Sequence, residues 1–311
     1  MTCPICNQTT DKTKIKKYLS RQYEICYCQN CDLEFYRDLK ETPTQYYQEL
    51  YQDWSIEGIS LRGLVWGHKQ GLKLIKQRFK KQKVSLLDIG CAQGLFVKKA
   101  AKAGIQAWGI DINPDLVKIA RKTHNCQTVY CANLQNLDQC LSQKFDIITL
   151  VDVLEHLPGP RQYLEQIKKH LKENGLVFIS LPNRYCQPKF LPIGGDLPPH
   201  HLTWWSKKAL FHALETAGYQ VLKYQTEKVN PKDMAVWFDS WLDLRIKAFK
   251  NAKSLAQKTA LQNKNKNLTK LIYLFKKAEL DLLTVIFCLP ARLLTLFGGK
   301  GTAHYILAQK S

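Results

Sequence analysis

The 311 residues carry 46 Lys and Arg against 26 Asp and Glu, a formal net charge of +20, with 45% apolar and 11% aromatic side chains. A chain of this size and apolar content buries a full α/β core with residues left for a small module and a long insertion, which excludes wholesale disorder. The charge favours an acidic partner such as nucleic acid, a membrane surface or a phosphorylated substrate, without choosing among them.

The opening Met-Thr-Cys-Pro-Ile-Cys lacks the basic and apolar pattern of a secretory signal, so a reducing cytoplasm is the expected setting. There the eleven cysteines read as thiols or metal ligands rather than disulfides. No apolar run reaches the roughly 18 residues that a membrane-spanning helix needs.

Residues 1–40 hold Cys3-Pro-Ile-Cys6 and Cys28-Gln-Asn-Cys31. Each pair can wrap a tight turn around one metal, and four thiolates satisfy the tetrahedral preference of zinc. So short a segment has little core of its own, so the metal would supply its folding free energy, and four closed ligands make it structural. Cys26, beside the second pair, is an alternative to Cys28.

Val84-Ser-Leu-Leu-Asp88 is an apolar strand that runs into Gly90-x-Ala92-x-Gly94 and then a helix over 95–103. That is the strand, glycine turn and helix of a nucleotide-type site. A second strand ends at Asp111, placed to accept both hydrogen bonds of a ribose diol. A helix over 115–122 and a third strand over 128–131 follow, with Asn133 offering an amide to an adenine amino group. The fourth strand, Phe145 to Asp152, enters Val-Leu-Glu155-His156-Leu157. A helix over 160–172, a fifth strand over 175–181, a sixth over 220–226 and a seventh over 302–308 complete the alternation.

Asp88-Ile-Gly-Cys-Ala-Gln-Gly94, Gly109-Ile-Asp-Ile112, Phe145-Asp-Ile-Ile148, Asp152-Val-Leu-Glu-His-Leu157 and Leu171-Lys-Glu-Asn-Gly-Leu176 stand in one order. In that order and spacing they resemble the class I S-adenosylmethionine methyltransferases, in particular the ubiquinone-pathway O-methyltransferases. The resemblance covers roughly residues 68–228 and the last strand. It implies an α/β fold, a doubly wound, seven-stranded Rossmann-like methyltransferase sheet, to which the cysteine pairs add a small N-terminal zinc-ribbon-like module and residues 230–300 a helical insertion before the last strand. It also implies cofactor contacts from Gly90, Cys91 and Gly94 to the methionine part, and from Asp111 and Ile112 to the ribose and adenine. Asn133 and Val151 would surround the adenine and sulfonium, and Asp88 would organise the loop as much as touch the cofactor. Ala92 departs from a frequent glycine. A dehydrogenase would share the glycine turn but not the Asp-Val-Leu-Glu-His-Leu element.

Pro182-Asn183-Arg184 leaves the carboxyl end of the sheet, where ligands of open α/β sheets bind. The loop that follows reaches Asp196-Leu-Pro-Pro-His200-His201-Leu-Thr-Trp-Trp-Ser206. His200, His201 and His156 are candidate general bases, against the alternative of structural imidazoles bonded to backbone. Ser206 reads as the N-cap of a helix over 207–217.

The expected organisation is a zinc-knuckle module over 1–40, a methyltransferase domain over 41–229 and 301–311, and a basic and apolar insertion over 230–300. Arg245 to Lys277 contains ten cations and no acid, and an apolar stretch from Leu280 to Phe297 follows, broken by Asp281, Pro290 and Arg292. This insertion reads either as a surface for anionic membrane, burying Leu283, Ile286, Phe287 and Leu294, or as a packed or subunit-contact helix. The expected protein moves the S-adenosylmethionine methyl group to a small-molecule, sugar or lipid-linked acceptor, in the cytoplasm and peripherally on membrane. An RNA base methyltransferase using the basic surface is the alternative. A noncatalytic cofactor-fold module is disfavoured by Asp88 and Asp111.

Overall fold

The computed structural model describes residues 1–18, 21–52, 63–80, 82–186, 196–231, 234–235, 238, 281–296 and 299–311. The chain forms two compact units, one of Met1–Arg184, Gly194–Thr226 and Ala303–Ser311, the other of Tyr185–Ile193 and Glu227–Thr302. The cysteine-rich segment therefore belongs to the same unit as the large sheet. The basic run Arg245 to Lys277 lies outside the described residues.

Seven strands form the main sheet: β4 (Ser85–Ile89), β5 (Gln106–Asp111), β6 (Val129–Cys131), β7 (Phe145–Val151), β8 (Leu171–Pro182), β10 (Tyr219–Thr226) and β11 (Ala303–Lys310). Their order is β10-β11-β8-β7-β4-β5-β6, with β4 to β8 parallel and β11 antiparallel to both neighbours. β4 and β7 are almost wholly buried because helices cover both faces of a parallel sheet. This is the doubly wound seven-stranded methyltransferase sheet expected above.

Helices α2 (Trp66–Phe79), α3 (Leu95–Lys102), α4 (Pro114–His124), α5 (Pro160–His170) and α6 (Lys207–Thr216) flank it. Local sequence starts two of them. Asn113 Oδ1 accepts from the backbone N–H of Asp115 and Leu116, with Pro114 at the first helical position, and Ser206 Oγ accepts from Ala209 N at 3.0 Å. α5 stops at His170, two residues before the expected end, because Leu171 is fully buried and already extended, opposite Phe145. The fifth strand accordingly begins at Leu171 and passes Asn174, at φ 58°, before the expected start at Gly175.

A second sheet joins β1 (Thr13–Tyr18), β2 (Arg21–Cys28), β3 (Leu33–Tyr36) and β9 (Thr203–Trp204) in that order. Its fourth strand comes from the loop preceding α6, so the cysteine-rich module is completed by residues far beyond position 40. Ile5, Ile25, Leu33 and Phe35 are fully buried beneath it.

In the second unit, α7 (Cys288–Leu296) follows a helical stretch over 281–286. Ala291, Phe287 and Leu294 pack with Val229 and Met234. Two of the four residues expected to enter a membrane, Phe287 and Leu294, thus face the unit's own core. The opposite stripe, Leu282, Val285, Ile286, Leu289, Leu293 and Leu296, is exposed. Its spacing puts these six on one helical face. Among the described residues no helix is long and apolar enough to cross a membrane.

α2 lies close to the sheet through its glycines. A Cβ on Gly67 would stand 2.6 Å from Ser180 Cβ and 3.0 Å from Val151 Cγ1. Gly67→Ala should therefore destabilise the protein by about 1–3 kcal/mol, read as a lower urea midpoint at unchanged slope.

Candidate active site

A cavity of about 240 Å³ opens at the carboxyl ends of β4, β5 and β7. The chain has to leave the sheet there, and the glycine turn keeps that mouth open. Gly90 sits at φ 72°, and a Cβ on it would meet Val153 Cγ2 at 2.5 Å, so only glycine fits. Ala92 also takes a left-handed conformation, at φ 47°. Its N–H is held by Asp111 Oδ2 at 2.8 Å, while Asp111 Oδ1 accepts from Asn113 N at 2.8 Å. One carboxylate thus ties the glycine turn to the start of α4. Burial pushes the Asp111 pKa up, and the two backbone N–H groups oppose that rise.

Of the residues assigned by resemblance to the cofactor, Gly90, Asp111, Ile112 and Asn133 line the cavity, and Ala92 joins them. Four others stand behind it. Asp88 is buried, with Oδ1 accepting from Thr149 Oγ1 at 2.6 Å, and burial pushes its pKa up to about 7. Cys91 packs in the core beneath the turn, where a Cβ on Gly109 would come within 2.7 Å of its sulfur. Gly94 caps α3 at φ 69°, and Val151 faces the core against α2. Next to Val151, Leu150, Asp152 and Val153 reach the cavity instead. The Asn133 amide oxygen is engaged by Asn136 N at 3.0 Å in a reciprocal cap, so this side chain is a capping group as well as a wall.

The remaining walls carry no motif. Glu41, Thr42 and Thr44, with Tyr47 and Tyr51 of α1 (Thr44–Gln52), close one side, and Tyr163 of α5 faces them. Tyr163 OH donates to Glu41 Oε1 at 2.9 Å and Gln135 Nε2 donates to Tyr163 OH at 2.7 Å. Burial pushes both Tyr47 and Tyr51 up to about 12, which keeps these phenols neutral. Asn113 lines the cavity while capping α4.

His156 lies on the cavity wall, and His200 and His201 are packed against it, with ring centroids 4.5 Å and 4.9 Å from that of His156. The structure therefore brings His156 together with an adjacent pair of histidines that begins 44 residues on. His156 Nδ1 is 2.6 Å from the His200 carbonyl oxygen, which can only accept, so Nδ1 carries the proton. His201 Nδ1 is 2.9 Å from Asp196 Oδ1, which orients it likewise. Burial pushes His156 down to about 3 and His200 to about 4, so both are neutral at physiological pH and weak as bases. Glu155, also buried, has both oxygens without a hydrogen-bond partner among the described residues, and burial raises its pKa well above the usual carboxylate range. Asp152, open to the cavity on its wall, is raised to about 6 by the desolvation its surroundings impose.

The loop bearing His200 and His201 is held by the cysteine-rich module. Glu34 and Phe35 of β3 pair with Trp204 and Thr203. Arg184, at the end of β8, donates to the Asp32 carbonyl and carboxylate at 3.0 and 2.9 Å and to Glu34 Oε1 at 2.9 Å. In that module Cys3 Sγ is 3.7 Å from Cys31 Sγ and Cys6 Sγ is 3.7 Å from Cys28 Sγ, all four within 4.8 Å of one another. Zinc–sulfur bonds of about 2.3 Å place tetrahedral ligands about 3.8 Å apart, so this set fits zinc. Cys26 is buried in β2 outside the cluster. The contact with Cys31 pushes the Cys3 thiol down to about 5 and Cys31 up, as expected of two sulfurs sharing one proton.

The methyltransferase domain family matches residues 67–224, which is 158 of the 311 residues. The chain is similar to the ubiquinone biosynthesis O-methyltransferase of Actinobacillus pleuropneumoniae serotype 7 (strain AP76), at 35% identity over 43% of this chain and 68% of that protein. It is also similar to the enzyme of that name from Coxiella burnetii (strain Dugway 5J108-111), at 26% identity over 61% of this chain and 90% of the relative. A solved S-adenosylmethionine-dependent methyltransferase from Archaeoglobus fulgidus aligns at 18% identity and a TM-score of 0.49, covering 85% and 100% of the two chains. The chain belongs to the class I S-adenosylmethionine-dependent methyltransferases and is an enzyme of that class.

Asp111→Ala removes an acceptor that both organises the turn and faces the cavity. Calorimetry should show S-adenosylmethionine binding weakened by about 1.5–3 kcal/mol, the range for hydrogen bonds to a charged group.

Proposed function

We propose that this enzyme methylates a hydroxyl of a small-molecule acceptor carried on a lipid or sugar, beside His156, His200 and His201. The observation that carries this reading is that His156, on the wall of the cavity that begins at the glycine turn, is packed against His200 and His201. The cofactor would lie with its methionine end against Gly90, its ribose on Asp111, and its adenine near Ile112 and Asn133. The acceptor oxygen then bonds to the methyl carbon as the carbon–sulfur bond breaks, the sulfonium loses its charge, and the hydroxyl proton passes to water beside the histidines. The sulfonium already activates the methyl group, so alignment and exclusion of water do most of the work. Names of relatives support a small phenolic or hydroxylated acceptor, since two of them are ubiquinone biosynthesis O-methyltransferases.

A lipid-borne acceptor is favoured by the second unit. Six large apolar side chains stand exposed on one face of its helix, and the sequence just before it supplies ten cations without an acid. Apolar insertion backed by unopposed positive charge suits an anionic membrane surface and peripheral attachment. The test is incubation of cell extract with the protein and isotopically labelled S-adenosylmethionine. Label in small organic-extractable molecules is expected, and label confined to RNA would replace this reading with base methylation.

The four clustered cysteines we assign to one structural zinc. Metal analysis should find one zinc per chain, lost in Cys31→Ser together with the order of the first forty residues, and retained in Cys26→Ser.

A further inference from the structure

We propose that His156, His200 and His201 form a binding site for one divalent first-row transition-metal ion at the wall of the cofactor cavity. One ring nitrogen of each lies within 4.8 Å of the other two. The Nδ1–H groups of His156 and His201 are each taken by an outer acceptor, the His200 carbonyl and the Asp196 carboxylate. A histidine that ligates a metal characteristically spends its other N–H in this way, which fixes the tautomer and leaves the Nε2 lone pair for the ion. Asp196 is itself steadied, since Trp204 Nε1 donates to its Oδ1 at 3.1 Å.

Two further observations point to a missing cation. His200 Nδ1 is buried without a hydrogen-bond partner among the described residues, and so are both carboxylate oxygens of Glu155. Glu155 Oε1 lies 3.9 Å from His156 Nε2. A buried polar atom left unpaired is costly, and an ion among the imidazoles would occupy the His200 nitrogen and offset the neighbouring carboxylate. Metal–nitrogen bonds of about 2.0–2.1 Å need nitrogens about 3.4 Å apart, so loading would draw the rings together by about an ångström. Imidazole ligands select zinc, nickel, cobalt, copper or iron over magnesium and calcium.

Three protein ligands leave a fourth position open beside His156, which lines the cavity, and that is the arrangement of a catalytic rather than a structural ion. The ion's role rests on the methyl-transfer reading above: it would take the acceptor hydroxyl as a further ligand and lower its pKa, so that the proton passes to water as the oxygen bonds to the methyl carbon. Binding of the ion does not rest on that reading.

The test titrates the zinc-loaded protein with Co²⁺, followed by calorimetry and visible absorption, with no acceptor present. One Co²⁺ per chain should bind, giving the d–d bands of a nitrogen- and oxygen-ligated ion without a thiolate charge-transfer band, because zinc outcompetes cobalt at thiolates. His200→Ala and His201→Ala should each weaken Co²⁺ at least tenfold. Asp196→Asn should weaken it about 10–100-fold with every ligand still in place. All three should keep the wild-type affinity for S-adenosylmethionine, which reports an intact fold. The site is overturned if the wild type takes up no Co²⁺ beyond its zinc, if cobalt appears only with the thiolate band, or if the variants bind it as tightly as the wild type. Acceptor turnover is not read, so failure of the methyl-transfer reading and failure of the metal site register separately.

Discussion

The carboxylate of Asp111 is the constraint on which the cavity depends. The glycine turn must expose backbone N–H groups to hold a ligand, yet an unpaired buried N–H is costly. Asp111 meets both demands, bonding Ala92 N with one oxygen and Asn113 N with the other. The Asn113 side chain then caps α4, so strand end, turn and helix start share one connected set of hydrogen bonds. A carboxylate has lone pairs beyond these two, which is why the same group can serve a ribose diol.

The cysteine-rich module has a second role besides its own folding. Its sheet is finished by β9, and Arg184 joins the end of β8 to Asp32 and Glu34. The residues between Asp196 and Ser206 are consequently held on one side by β3 and on the other by Glu155, whose carbonyl accepts from Leu202 N at 2.9 Å. A loop that would otherwise be free to move is fixed by a small sheet. The histidines it carries inherit that order.

Burial sets the chemistry of the site more than charge pairing does. His156 and His200 are neutral because desolvation outweighs the backbone carbonyls that face His156 and the Asp196 carboxylate near His200, and desolvation likewise raises Asp88. Neutral imidazoles are poor bases and good ligands. The three candidate histidines stand in one cluster, in which the His200 carbonyl bonds His156 Nδ1 and the Asp196 carboxylate bonds His201 Nδ1.

Local chemistry made the fold legible from the residues alone. Short apolar strands, the glycine turn, the cap at Ser206 and the paired cysteines each act within a few residues, so their spacing carries their meaning. Asp111 was readable because an acid that ends a buried strand needs a partner. The side chains that complete the site were not readable in this way. Leu150 and Val151 are adjacent in β7, and strand alternation decides that one faces the cavity and the other the core. Tyr47, Tyr163 and Glu41 meet across more than a hundred residues, and only the packing of α1 against the sheet's carboxyl edge brings them together. Likewise His156 joins His200 and His201 through a loop 44 residues on, placed by a strand pairing with β3. Short-range hydrogen bonding belongs to the sequence, whereas burial and long-range convergence exist only once the chain has closed on itself.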